Sequence, residues 1–179
     1  QDTTYNSSIV KNPEGREFWL CFLKNFKDDD RKLSKSNELQ LEFFITSDKD
    51  ANVVIEIRNI GYRNSLFVQA GTIKNVKIDV RAQVRNFDQI EENQGIHITS
   101  DNPITVYGLN RRYQTTDTYL GLPVEVLGTE YRVMSYYVTD DLLSIAAVVA
   151  TEDNTIVEIT PSVDTYSGKK RGETFRVTL

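Results

Sequence analysis

The chain has 179 residues, 39% of them hydrophobic and 26% charged, with a net charge of −5. This composition excludes a disordered polymer and supplies enough apolar material for a buried core. Charges of both signs are mixed along it, so no basic face for nucleic acid is expected, and no apolar run is long enough to insert into a membrane. One cysteine, Cys21, and one histidine, His97, exclude a disulfide framework and the common multi-histidine or multi-cysteine metal sites.

Residues 1–14 are expected to be an N-terminal extension, beginning QDTTYNSS as a mature secreted chain would. Short runs of Val, Ile, Thr, Tyr and Phe then recur between Asp, Asn, Ser and Gly clusters. They predict strands at 17–26, 39–46, 52–58, 66–70, 72–80, 95–99, 104–109, 131–138, 144–151, 155–160 and 174–179. The run Ile145 to Val149 (IAAVV) is apolar on both faces and is expected at the centre of a sheet. No segment sustains a helical period.

Three stretches share one pattern, an apolar strand, a threonine, an acidic turn and a β-branched strand. They are FFITSDKDANVVIEI (43–57), IHITSDNPITVYGL (96–109) and AVVATEDNTIVEI (147–159). Their threonines, Thr46, Thr99 and Thr151, lie 53 and 52 residues apart. Each is read as a hairpin, because Asp and Asn side chains bond back to nearby amides. A second repeat relates GREFWLCFL from Gly15 to GTEYRVMSY from Gly128. Residues 15–110 therefore form a first β unit, 111–127 a connector, and 128–179 a second unit without a counterpart of 95–110. The chain is expected to be a fragment, or to leave an open sheet edge near 174–179 for another strand or for self-assembly. Within the connector, Pro123 is expected to start one helical turn that Gly128 ends in a left-handed conformation.

The long connection NRRYQTTDTY is the expected ligand-facing segment, through Asn110, Arg111, Arg112, Tyr113, Thr116, Asp117 and Tyr119. Loops on β scaffolds carry binding sites, and Tyr and Arg anchor interfaces. Tyr136 or Tyr137 offers an aromatic surface for a sugar. His97, between Ile96 and Ile98, is expected on an outer surface rather than as a catalytic base. Cys21 is expected to be a buried, inert thiol. For metals, Asp28, Asp29 and Asp30 lack a spaced loop pattern, so the turn residues Asp101 and Asp153 are the better candidates, and capping is the stronger reading of both. Adjacent acids such as Asp140 and Asp141, or Glu152 and Asp153, do not straddle a cleft as glycosidase carboxylates do.

LPVEVLGTEYRV, AVVATEDNTIVEITP and IHITSDNPITVYGLN resemble the N-terminal domain of the immunoglobulin G Fc-binding protein family. The matching motifs are Ala150 to Thr155, Thr99 to Ile104 and Leu122 to Tyr131, with Gly15 to Phe22 similar to the family's opening strand except for Arg16. The resemblance spans residues 15–179. It implies a secreted or cell-surface binding or adhesive module, not an enzyme, and a bacterial surface-type member in view of the single cysteine. Fc binding itself goes with animal members bearing cysteine-rich domains and is not carried over. The family offers no catalytic motif.

The expected fold is all-β, an antiparallel sandwich of immunoglobulin-like or jelly-roll type with internal pseudo-repeats; a propeller is the alternative. The expected function is a non-catalytic extracellular or cell-surface adhesion, matrix or structural module that binds protein or glycan. No cofactor is expected. A carbohydrate-binding domain of a larger secreted protein and a carboxylate-based hydrolase are the alternatives.

Overall fold

The computed structural model describes residues 12–25, 38–86, 90–112, 115–135 and 144–179. The described chain is all-β, with nine strands and short 3₁₀ turns. The strands are β1 (Gly15–Leu20), β2 (Gln40–Thr46), β3 (Ala51–Ile57), β4 (Tyr62–Val68), β5 (Ile73–Ile78), β6 (Ile96–Arg112), β7 (Thr115–Leu120), β8 (Ile156–Ile159) and β9 (Phe175–Thr178). Seven of them form a large antiparallel system organised around β6, and β8 and β9 form a separate two-stranded sheet.

The 17-residue β6 serves two sheets. Its first part lies between β1 and β3, with β4 beyond β3. Its second part lies between β2 and β7, with β5 beyond β2. Strict alternation decides which side chains enter the space between the sheets. Leu41, Phe43 and Ile45 of β2, Val53, Ile55 and Ile57 of β3, and Ile96, Ile98, Ile104 and Val106 of β6 are all buried there, with Phe18 and Phe22. The two phenyl rings of Phe22 and Phe43 meet at 5.0 Å between centroids. The architecture is sandwich-like, as expected, and the propeller alternative is set aside.

The repeated acidic stretches are not hairpins. β2 and β3 do not pair with each other; both run antiparallel to β6, one after the other. The chain at 47–50 therefore bends from one sheet into the other. Residues 100–104 of β6 bend beside it, and 69–72 do the same between β4 and β5. Hydrogen bonds sew the three bends together. The Ser47 hydroxyl donates to the Pro103 carbonyl at 2.7 Å, and the Asn102 amide donates to the Asp50 carbonyl at 2.8 Å. Asp101 accepts from the Asn52 backbone and side-chain N–H groups at 2.8 and 2.7 Å, and Asp50 accepts from Ala70 N–H at 2.9 Å. Tight two-residue hairpins need positive φ at their centres. Neither 47–50 nor 100–103 contains such a residue, so these strands bend and do not reverse. Corners of this kind are how strands switch between packed sheets.

Four further expectations are corrected. Residues 110–119 are not a long loop, because β6 extends to Arg112 and β7 pairs with it from Thr115. Residues 144–150 carry no strand, and Val148 is exposed; a central strand needs strands paired on both sides, and this run pairs with no strand among the described residues. Residues 131–135 likewise carry none. The expected helical turn is present as a 3₁₀ turn at Val124–Val126, but Pro123 is its N-cap and extended Leu127 its C-cap, while Gly128 is not left-handed. Pro123 lies so close to Gly15 that a Cβ there would overlap it, which seats the turn on the start of β1.

Candidate binding surfaces

The β6–β7 hairpin sorts the expected ligand-facing residues by the pleat. Asn110 and Arg112 are buried. The Asn110 amide donates to the Leu23 carbonyl at 2.7 Å, and its oxygen accepts from Asn25 at 2.9 Å. Thr115 donates to the Asn25 oxygen at 2.6 Å, and Gln83 donates to the same Leu23 carbonyl at 3.3 Å. This polar cluster satisfies the irregular chain after β1 and closes one end of the sandwich. Tyr119 also turns inward. Its hydroxyl donates to the Cys21 carbonyl at 3.0 Å, its ring meets Phe22 edge-on at 5.9 Å, and it lies flat over Gly108. Burial holds its phenol above the ordinary tyrosine range, with a smaller contribution from Cys21. Arg111 and Thr116 stand opposite each other and are exposed, as is Asp117. Tyr113 lies outside the described residues, as do Asp28, Asp29, Asp30, Tyr136, Tyr137, Asp140 and Asp141.

Arg111 and Thr116 lie at one end of a larger face. On the outer side of the second sheet, the register aligns Asn75, Phe44, Tyr107 and Leu120 in one row across four strands. The next row is Lys77, Glu42, Leu109 and Thr118, and Gln40, Arg111 and Thr116 follow. Tyr107 is 47% exposed, Leu120 40% and the nearby Ile73 72%. An apolar and aromatic centre with a rim of Lys, Glu, Gln and Arg is the composition of a protein-binding patch. Sequence patterning missed this face because each strand contributes only one or two of its residues. The signal is the register, which a single strand does not contain.

The outer face of the first sheet carries a second cluster. His97 faces outward, as expected, between buried Ile96 and Ile98. It stacks on Trp19 with centroids 4.2 Å apart and planes at 13°. Glu17 Oε1 lies 2.9 Å from His97 Nε2 and accepts from the Trp19 indole at 3.3 Å. The three are brought together because β1 and β6 are paired with Trp19 opposite His97. Among the described residues, the cluster has an acid and an imidazole but no hydroxyl or thiol bonded to the imidazole, as an activated nucleophile would need. Its role in the fold is to tie β1 to β6.

Cys21 is deprived of solvent by burial, which raises its thiol to about 11 and leaves it protonated at neutral pH. Asp101 is held below the usual carboxylate range by its hydrogen bonds from Asn52. It acts as the corner fastener described above, and Asp153 sits in the exposed turn before β8. Among the described residues, no group of three His, Cys, Asp or Glu side chains is placed to hold a metal ion.

Fold and surfaces together give a β-sandwich with an exposed sheet face of mixed apolar and polar character. Residues 117–179 match the sequence pattern of a family described as IgGFc binding protein. The match covers the Leu122 to Tyr131 and Ala150 to Thr155 motifs, and not the Thr99 to Ile104 or Gly15 to Phe22 motifs. No curated protein and no solved structure matches the chain. No helix among the described residues is long and apolar enough to cross a membrane.

Proposed function

We propose that the chain is a non-catalytic binding module of an extracellular or cell-surface protein, and that its ligand is a protein held on the outer face of the second sheet. The observation that carries this reading is the row formed by half-buried Phe44 and exposed Tyr107 and Leu120 on neighbouring strands, flanked by Arg111. Isolated exposed apolar residues need no explanation, but a row in contact across a sheet is a patch. The similarity of residues 117–179 to a family described by a binding activity supports the same class. The extracellular setting rests on that similarity alone. Arg111 and Thr116 remain ligand-facing candidates at the rim. Asn110, Arg112 and Tyr119 support the hairpin from beneath and do not touch the ligand.

The test is surface plasmon resonance of the immobilised chain against a panel of secreted and surface glycoproteins, with immunoglobulin Fc included. Saturable binding to a panel member, weakened about tenfold by Tyr107→Ala or Arg111→Ala, is the expected result. Binding that neither substitution alters would place the site elsewhere. Turnover of a panel member, abolished by one carboxylate substitution, would overturn the non-catalytic reading.

A further inference from the structure

Among the described residues, the strand registers set a glutamate directly opposite a lysine or arginine at three places. Glu56 of β3 stands opposite Arg63 of β4, Glu158 of β8 opposite Arg176 of β9, and Glu42 of β2 opposite Lys77 of β5. Residues directly opposite are the closest side-chain neighbours that a sheet provides, and opposite charges there attract. Two of the three pairs are closed. Glu56 is ion-paired with Arg63, and Arg176 lies 2.6 Å from Glu158. The third is open. Glu42 accepts from the Asn75 side-chain amide at 2.6 Å instead. Lys77 forms no ion pair with a described residue.

Arg111 is in the same condition. It stands between Gln40 of β2 and Thr116 of β7, neither of which carries a charge. It also forms no ion pair with a described residue. Both cations are exposed, and both lie on the outer face of the second sheet with Phe44, Tyr107 and Leu120. The outer face of the first sheet differs, since Arg63 is spent on Glu56 there and Glu17 lies against His97.

The register also sets the spacing. Strands lie about 4.8 Å apart and residues about 3.4 Å apart along each, so the backbone positions of Lys77 and Arg111 are about 12 Å apart, and each is about 12–14 Å from that of Tyr107. Both cations fall on the same side of the apolar row. The chain as a whole carries −5, so its distant field does not draw an acidic partner in. Lys77 and Arg111 act at contact range, where charge decides which partner fits.

We propose that this face takes an acidic polypeptide segment. An aromatic or aliphatic side chain of the segment packs on Tyr107 and Leu120, and two of its carboxylates reach Lys77 and Arg111. The proposal rests on the reading of this face as the binding surface and adds the chemistry of the partner. Arg111 receives a carboxylate through parallel N–H donors, and Lys77 acts as a point charge. Glu42, fixed by Asn75 beside Lys77, works against a densely anionic chain such as a sulfated glycan, which also offers nothing to the apolar row.

The probe is a random linear peptide library displayed on phage and panned on the immobilised full chain. Selected peptides are synthesised and their affinities measured against single variants. The expected peptides join an aromatic or aliphatic anchor to at least two Asp or Glu residues. Lys77→Gln, Arg111→Gln and Tyr107→Ala should each weaken their binding about tenfold, and Glu42→Gln should strengthen it about threefold. Opposite signs from neighbouring positions report charge and not a loss of fold, and unchanged melting temperatures of the variants check this. Peptides that require Tyr107, carry no acidic excess and ignore both cation variants overturn the proposal and leave the face as the binding surface. Peptides indifferent to all four substitutions overturn the proposal and the face together. Saturable binding of heparin that is lost in the double variant Lys77→Gln, Arg111→Gln, with acidic peptides inactive, would make a sulfated glycan the occupant and overturn it as well.

Discussion

Replacing Gly108 with alanine is predicted to change sign with the residue across from it. Gly108 lies within β6, outside the left-handed region, directly opposite Tyr119. A Cβ added there would overlap the Tyr119 ring. The ring is held by its hydroxyl bond to Cys21 and its edge contact with Phe22, so it cannot move aside without losing both. Gly108→Ala in the native chain should therefore cost about 1–3 kcal/mol, the range for overpacking a fitted site. Tyr119→Ala alone should cost about 3–5 kcal/mol, as for other buried aromatic truncations. With that ring gone, the three atoms nearest the alanine methyl are removed, and the same Gly108→Ala should stabilise by about 0.4–1 kcal/mol by restricting the unfolded chain. Urea denaturation of the four proteins gives the coupling energy, expected at about 1.4–4 kcal/mol. Equal effects of Gly108→Ala in both backgrounds would refute the ring-on-glycine contact, and with it the β7 strand.

Phe43→Ala should cost about 3–5 kcal/mol and Phe44→Ala much less, because Phe43 is fully buried and Phe44 lies on the outer face; equal costs in thermal denaturation would mean that the two faces have been exchanged. Cys21 should react with a disulfide reagent far more slowly in the native chain at pH 7.5 than in denaturant, since burial raises its thiol to about 11; equal rates would contradict that burial. The folded Asp101 carboxyl is depressed, so its contribution is fully present above its unfolded pKa of about 3.9 and is lost as pH falls through the lower folded value. The melting-temperature deficit of Asp101→Asn should therefore be constant near neutral pH and shrink as the pH is lowered from about 4; a deficit independent of pH would show that the charge plays no part.

The strands of the first unit were legible because their alternation is strong. The buried row Leu41, Phe43 and Ile45 and the outward placement of His97 follow from period two alone. The direction of the chain after each strand was not legible. A Ser-Asp turn that closes a hairpin and one that fastens a corner have the same composition. They differ in which residues accept the hydrogen bonds, and Asp101 binds Asn52, 49 positions away in sequence. β7 was hidden because TTDTYL is polar at one edge of its sheet, where solvation is no penalty. The apolar run 145–149 misled in the opposite sense, since hydrophobicity marks a residue that gains by burial without supplying the neighbour that buries it. Of the candidate site, alternation divided what proximity had grouped. Arg111 and Thr116 face solvent, and Asn110, Arg112 and Tyr119 face the core.

Binding of protein on the outer face of the second sheet is tested most directly by hydroxyl-radical footprinting of the chain, with and without the ligand captured in the binding panel. Oxidation of Tyr107, Leu120 and Ile73 should fall sharply in the complex, while Phe67 and Val163, which are exposed elsewhere, keep their rates. Unchanged oxidation of Tyr107 and Leu120 in a saturated complex would contradict the assignment.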